Sequence, residues 1–173
     1  MTLIRNNSPI ALTLITSLVL FYLDGASSTG EERILVVGAT NRPQDLDEAA
    51  RRRLVKRLYV PLPNTNARKQ IIDNLLQSQG SHSLTDDDMI TVAKKTEGYS
   101  GADMAELCKE SAMGPIRSID YSQIENIEVE NVRNITIQDF LDALSNVKAS
   151  VSDKDIAMYL EWNTTFGSGT IGS

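Results

Sequence analysis

The spacing of apolar residues along this 173-residue chain changes at Pro63. Upstream, the β-branched run Ile34–Ala39 is typical of a strand buried on both faces of a parallel sheet. The alternating segment Lys56–Leu62 predicts a second short strand, which Pro63 ends. Between them, Asp45 is placed to cap a short helix from Leu46 to about Leu54. This part of the chain therefore predicts the edge of an α/β sheet.

After Pro63 the apolar residues recur at helical spacing, and no further strand is predicted. A first helix begins at Asn64 or Thr65 and runs to about Gln77. Four further starts carry the capping signature of Ser or Thr followed three residues later by Asp. They are Thr85 with Asp88, Ser100 with Asp103, Thr136 with Asp139, and Ser152 with Asp155. Pro115 is expected to interrupt one helix, and the Gly-Ser-rich tail from Gly167 is expected to be disordered.

The amino-terminal residues form a separate feature. Arg5 precedes a mostly apolar run from Ile10 to Leu23, which has the length of a signal-peptide core and is shorter than the roughly 20 residues of a membrane span. Small residues follow it. Three interpretations stay open: a secretory signal, a buried helix, or a start that is not the natural beginning of the domain.

Composition excludes several kinds of site. The net charge of −6 argues against a generic nucleic-acid surface, because phosphate binding needs clustered positive charge. Cys108 is the single cysteine, so no intrachain disulfide can form, and a reducing compartment is favoured. His82 is also single, so no metal site is predicted. The sequence contains no Gly-Lys dipeptide and therefore no phosphate-cradling P-loop.

Three residues near the predicted sheet edge could act on a phosphate. Asn41 follows the first strand, at the edge where α/β sheets bind ligands. Its amide could orient a water molecule; alternatively, Asn41 is an ordinary turn residue.

Arg52 and Arg53 diverge by about 100° on a helix. One could stabilise a transferring phosphoryl group of a neighbouring molecule, or both could simply complement the helix dipole. Arg51 is interpreted as a surface residue.

Two small residues open the helix that starts after Ser100. Gly101 and Ala102 leave the amino end of that helix bare, so that a phosphate or a flat ring could approach the backbone. The alternative is ordinary helix punctuation after Gly98. Cys108 faces an apolar stripe and is interpreted as a structural thiol.

Several ordered motifs together resemble the second half of a AAA ATPase domain, from about Leu23 to Gly167. They are Val36–Pro43, Leu46–Ala49, Arg51–Pro63, Gly98–Asp103, Gly114–Ile119 and the final stretch from Ser150 to Gly167. Within that family they resemble the meiotic group of spastin, katanin and fidgetin, with the nearest likeness to fidgetin-like proteins.

The resemblance implies an α/β fold: the C-terminal edge of a AAA nucleotide-binding sheet, then an all-helical lid subdomain and C-terminal helices. Residues 23–63 would be the C-terminal part of the large subdomain, 64–120 the lid and 121–167 a C-terminal helical region. Residues 1–22 would lie outside the family match, and 168–173 would be a disordered tail.

The resemblance also implies roles for individual residues. Asn41 falls on the sensor 1 position, which positions the attacking water. Arg52 and Arg53 fall on the arginine fingers that complete a neighbour's site in a hexameric ring. Gly101 and Ala102 fall on the sensor 2 region, which lines the adenine pocket. The implied ligand is ATP, with Mg²⁺ in the complete family domain, although this chain offers no ligands for Mg²⁺.

The implied function is ATP hydrolysis coupled to remodelling of a polypeptide. The partners would be ring neighbours and a substrate such as tubulin or a DNA-repair-complex protein, in the nucleus or cytoplasm, with no direct nucleic-acid site. Because the Walker A loop, the Walker B acidic pair and the pore loops are not in these residues, the chain is expected to be inactive alone. Two alternatives remain: a non-catalytic module that supplies arginine fingers to a full-length partner, or a membrane-associated or secreted product directed by residues 1–23.

Overall fold

A computed structural model describes residues 37–79, 81–119 and 132–170. By their internal contacts, these residues form two compact units. The first comprises residues 37–59 and 158–170, and the second comprises the described residues from 60 to 157. The apolar run Ile10–Leu23 lies outside the described residues, as does the first half of the predicted strand Ile34–Ala39. Residues 37–39 are exposed and have no regular secondary structure, so that strand stays a prediction.

Seven α-helices and two short strands follow one another along the described residues. They are α1 (Glu48–Arg53), β1 (Leu58–Tyr59), α2 (Thr65–Gln79), α3 (Asp86–Lys95), α4 (Gly101–Ala112), α5 (Gly114–Arg117), α6 (Ile137–Asn146), α7 (Asp153–Phe166) and β2 (Gly169–Thr170). A 3₁₀-helix, Pro43–Asp45, precedes α1.

The start of α1 differs from the prediction. Asp45 ends the 3₁₀-helix instead of capping α1, because the Leu46 N–H is already bonded to the Pro43 carbonyl and Leu46 is extended. The true cap is Asp47, whose carboxylate accepts the Ala50 N–H at 2.7 Å. The helix therefore begins two residues later than the sequence indicated.

The sheet of the first unit also corrects two predictions. The strand predicted over Lys56–Leu62 is only two residues long, and a strand occurs after Pro63, where none was predicted. β1 and β2 are parallel, with Leu58 opposite Gly169 and Tyr59 opposite Thr170. The tail was expected to be disordered from Gly167, whereas its residues up to Thr170 continue into this pairing.

The second unit is a helical core. Helix α2 packs against α3 and α4, and α4 packs against α6. Its largest fully buried apolar side chains are Phe140, Ile72, Leu76, Met104, Leu107 and Val92. The Tyr99 hydroxyl donates a hydrogen bond to the Val147 carbonyl at 2.6 Å and so ties the start of α4 to the end of α6. Among the residues that the structure describes, the helical interpretation of this region is confirmed, apart from an isolated parallel β-bridge between His82 and Ile135.

The helix starts of this unit follow the sequence closely. Reciprocal capping boxes join Thr85 to Asp88, Ser100 to Asp103 and Thr136 to Asp139. Ser152 and Asp155 make the same contacts at the start of α7. Gly98 has a φ of +82°, in the left-handed region that ends a helix most easily with glycine.

Two more predictions concern buried positions in α4 and α5. Helix α4 ends at Ala112, and Pro115 lies in the first turn of the short helix α5, so the predicted interruption is confirmed. Cys108 is fully buried, and burial raises the pKa of its thiol to about 12. Both observations agree with the interpretation of Cys108 as a structural thiol. Among the described residues, no group of side chains could hold a metal ion, and no helix has the length and apolarity needed to cross a membrane.

Candidate functional site

The last turn of α1 presents three consecutive arginines in different surroundings. Arg51 is half-buried, with its guanidinium carbon 4.9 Å from the centroid of the Phe166 ring. The same guanidinium donates a hydrogen bond to the Leu46 carbonyl. A cation at this distance over an aromatic face is attracted by the ring quadrupole. The interpretation of Arg51 as a surface residue is therefore incomplete, because the side chain is half-buried and in contact with Phe166.

Arg52 and Arg53 lie on the exposed side of α1. Arg52 pairs with Glu48 one turn earlier, and the two side chains are 78% and 69% exposed. Such a solvated pair contributes little to stability, so an incoming anion can compete for the guanidinium. Arg53 lies 3.5 Å from the Ala49 carbonyl. The structure thus divides the triplet into one inward arginine and two exposed ones.

Arg57 joins the end of α1 to the end of α7. Its guanidinium donates hydrogen bonds to the carbonyls of Arg51 and Leu54 at the end of α1, and to the carbonyl of Phe166. Sequence reasoning did not predict these hydrogen bonds of Arg57. The available signal was a basic side chain just beyond a helix end, where it can satisfy the last carbonyl groups.

These side chains surround an open depression of about 450 Å³. It is lined by Glu48, Arg51, Arg52, Val55, Arg57 and Phe166. The lining contains three guanidinium groups and one carboxylate, so the depression favours an anion.

Asn41 belongs to the same unit as the arginines. It lies in an exposed bend, and its backbone carbonyl accepts a hydrogen bond from the Tyr159 hydroxyl at 2.9 Å. Tyr159 therefore fixes the backbone that carries the amide. The strand that Asn41 would follow lies largely outside the described residues, so its place at a sheet edge stays a prediction.

Gly101 and Ala102 lie in the second unit, as the first two residues of α4. Both are exposed, and a Cβ atom added at Gly101 would meet nothing within 4 Å. The amino end of this helix is therefore as accessible as the sequence indicated, whereas contact with an adenine ring stays a prediction.

The carboxylate of Asp103 holds the start of α4 in place. It accepts hydrogen bonds from the backbone N–H of Ser100 at 2.8 Å and of Ser150 at 3.2 Å. Burial acts to raise the pKa of this carboxyl group, but the hydrogen bonds from Ser100 and Ser150 outweigh burial and hold the pKa below its usual value. Asp103 is thus a charged structural anchor beside the accessible helix end.

Two regions of the chain match known families. Residues 10–62 match the ATPase family associated with various cellular activities (AAA), and residues 86–131 match the AAA+ lid domain. The first match begins at residue 10, whereas the sequence analysis placed the start of the likeness at residue 23.

Curated relatives extend this likeness over most of the chain. Fidgetin-like protein 1 of Rattus norvegicus is 54% identical over 150 residues, which is 87% of this chain and 22% of the relative. Spastin of Homo sapiens is 45% identical over 152 residues, or 88% of this chain and 24% of the relative. The chain thus spans only about a quarter of the length of the curated relatives it matches.

Solved structures show the same likeness in three dimensions. The crystal structure of the FIGL-1 AAA domain in complex with ADP has a TM-score of 0.81 and 46% identity, and covers 90% of this chain and 53% of that one. A structure described as the basis for katanin self-assembly has a TM-score of 0.66 and 29% identity, and covers 90% and 64% respectively. The predicted fold class, the edge of an α/β nucleotide-binding sheet with lid helices, is confirmed.

Proposed function

We propose that this chain, which belongs to the AAA ATPase family and is similar to its fidgetin-like and spastin members, takes part in ATP hydrolysis within a ring of subunits. Arg52 and Arg53 would act on the ATP of a neighbouring subunit. The observation that supports this most strongly is the division of the arginine triplet, in which Arg51 is held inward and the next two are exposed. A guanidinium that acts on a neighbouring subunit must be accessible at the surface, and within the triplet Arg52 and Arg53 are the exposed arginines.

The chemistry follows from the charge that develops during phosphoryl transfer. In the transition state, negative charge spreads over the oxygens of the transferred group, and preorganised positive charge stabilises it. Arg52 and Arg53 would supply that charge across a subunit boundary. The Asn41 amide would orient the attacking water in its own subunit, since an amide can both donate and accept. Gly101 and Ala102 would let the adenine ring approach the backbone of α4.

Mg²⁺ would neutralise the β- and γ-phosphates in the complete family domain. The described residues offer no cluster that could hold a metal ion, so no Mg²⁺ ligand is assigned to this chain. The printed sequence has no Gly-Lys dipeptide for a P-loop either. We therefore expect these 173 residues alone to release no phosphate from ATP above background, and a rate that disappears in an Asn41→Ala variant would contradict this.

The purpose of hydrolysis, on this proposal, is mechanical work on a polypeptide. The similarity to spastin, katanin and fidgetin-like proteins supports either microtubule severing, with tubulin as substrate, or disassembly of a DNA-repair complex. The single cysteine supports a nuclear or cytoplasmic location. The exposed arginines also favour a second candidate, a module without its own activity that supplies fingers to a full-length partner.

A hybrid enzyme tests the proposed function. In it, residues 37–170 of this chain replace the matching segment of fidgetin-like protein 1, which supplies the remaining parts of the domain. Arg52→Ala and Arg53→Ala together should lower kcat for ATP by about 10³-fold, the usual size of an arginine-finger effect. Arg117→Ala is the matched control, because Arg117 is an exposed arginine of the second unit that forms an ion pair with Glu110. Equal kcat values for the hybrid enzyme and its double variant would refute the proposal.

A further inference from the structure

The last residue of α7 and the residues that follow it contact the segment around and just after α1, although the two segments lie far apart in the sequence. We call Phe166–Thr170 the C-terminal segment. The Ser168 N–H donates to the Arg57 carbonyl at 2.7 Å, and the Ser168 hydroxyl donates to the Val55 carbonyl at 3.1 Å. The parallel pairing of β1 with β2 continues the same contact. The C-terminal segment therefore contacts the residues between Val55 and Tyr59, which follow α1.

Phe166 adds a side-chain contact to this attachment. Its ring lies under the Arg51 guanidinium and is itself packed against Trp162, with 5.5 Å between the ring centroids. Its carbonyl accepts a hydrogen bond from Arg57, whose guanidinium also bonds the last carbonyls of α1. Phe166 thus contacts both Arg51, through its ring, and Arg57, through its carbonyl.

The turn after Phe166 fits only a glycine. The Gly167 N–H donates to the Asn163 carbonyl at 2.8 Å, and a Cβ atom at position 167 would overlap the Asn163 side chain. The direction in which the chain leaves α7 is therefore fixed, and with it the position of Ser168 against β1.

Helix α1 needs such an external support because it has only six residues. A helix this short is not stable on its own in water. Its rotation about its own axis decides which arginine is inward, since a turn of about 100° exchanges one position for the next. In the rotation that the structure shows, Arg51 lies over the Phe166 ring, Ala50 is buried, and Arg52 and Arg53 are exposed.

We infer that Phe166 is a positioning residue for the arginine fingers: through Arg51, it sets the rotation of α1 and so directs Arg52 and Arg53 toward the neighbouring subunit. The inference rests on the proposed function. It assigns to Phe166 a role that is exerted through its contact with Arg51.

The test compares three variants of the hybrid enzyme. Phe166→Ala removes the ring, and Phe166→Tyr keeps it. Leu160→Ala is the control, because Leu160 is an apolar residue on the same helix with 49% of its surface exposed. Phe166→Ala should lower kcat by about 10²-fold, as displacement of a catalytic group by about 1 Å does, and leave KM for ATP within about twofold. Phe166→Tyr and Leu160→Ala should keep the parent kcat.

Two further measurements separate positioning from a general loss of structure. In hydrogen exchange, the amides of Arg51 and Leu54 should lose about tenfold in protection in Phe166→Ala, because they close the hydrogen bonds of α1, while the lid amides stay unchanged. In a kinetic cycle, adding Phe166→Ala to the Arg52→Ala and Arg53→Ala double variant should lower kcat no further, since the fingers through which Phe166 acts are already gone.

The outcomes distinguish the two proposals. If the double arginine variant keeps its kcat, the proposed function fails and the inference fails with it. If the double variant loses activity but Phe166→Ala does not, or if the two losses multiply in the cycle, only the positioning role of Phe166 is refuted.

Discussion

Asp139 at the start of α6 allows the most quantitative test of the structure. Its side chain is 5% exposed and forms a two-pronged ion pair with Arg133, with both N–O distances at 2.7 Å. It also accepts the Thr136 N–H at 2.8 Å. The bonds from Arg133, together with those from Thr136, outweigh burial and lower the pKa of Asp139 from 3.8 to about 2.

The lowered pKa fixes the size and the sign of a pH effect. The difference between the folded and unfolded pKa values corresponds to about 2 kcal/mol of stability at neutral pH. Because the folded pKa is the lower one, this stability is present above pH 4 and is lost as the pH falls through about 2. Asp139→Asn should remove about 2 kcal/mol from the free energy of unfolding at pH 7 and flatten its dependence on pH between 4 and 2.

Urea unfolding of the whole chain, followed by helical circular dichroism at several pH values, measures both effects. Asp155→Asn is the matched control, because Asp155 occupies the same capping position in α7, is bonded to Ser152, and is exposed to solvent. Asp155→Asn should cost clearly less stability than Asp139→Asn at pH 7. Equal losses from the two substitutions, or a parent protein whose stability stays constant between pH 4 and 2, would refute the reasoning.

Three further predictions concern the second unit. Gly114→Ala should destabilise it by about 1–3 kcal/mol in the same urea experiment, since the added methyl group overlaps the Asp139 side chain, while Gly101→Ala, in open space, should not. Arg68→Leu should cost about 1–3 kcal/mol, because Arg68 is buried and its loss removes the donor of the Pro63 carbonyl and one of the two side-chain donors of the Ala93 carbonyl, the other being the Thr96 hydroxyl; an unchanged midpoint would contradict this. Cys108, with a pKa of about 12, should react with a thiol reagent at pH 8 only as fast as the protein unfolds, and immediate labelling of the folded protein would show that the thiol is accessible.

The features that could be predicted from the sequence are local ones. Each capping box lies within four residues, so its hydrogen bonds can be predicted from a short stretch of sequence. This is why the starts of α3, α4 and α6 were placed correctly, with Gly98 as a helix end. The cap of α1 was predicted at Asp45 but lies at Asp47, because Pro43 begins a 3₁₀-helix that includes Asp45.

The features that could not be predicted depend on residues far apart in the sequence. Arg57 and Ser168 are 111 positions apart. The alternation of Lys56–Leu62 predicted a strand, but the residues around Ser168 have no such alternation to indicate its partner. The same distance conceals the contact of Arg51 with Phe166. Arg68 interrupts the apolar face of α2, and its buried guanidinium donates hydrogen bonds to the Ala93 carbonyl near the end of α3 and to the Pro63 carbonyl. In each case the tertiary contact overrides the local pattern.

The central claim is that Arg52 and Arg53 complete the site of a neighbouring subunit, and a subunit-mixing experiment tests it most directly. One hybrid enzyme carries Arg52→Ala and Arg53→Ala with an intact P-loop; a second carries an inactivated P-loop with both arginines intact. Each alone should be inactive, and mixing them should produce ATP hydrolysis, because the arginines of the second serve the nucleotide of the first. A mixture that forms joint rings and stays as inactive as its components would contradict the claim.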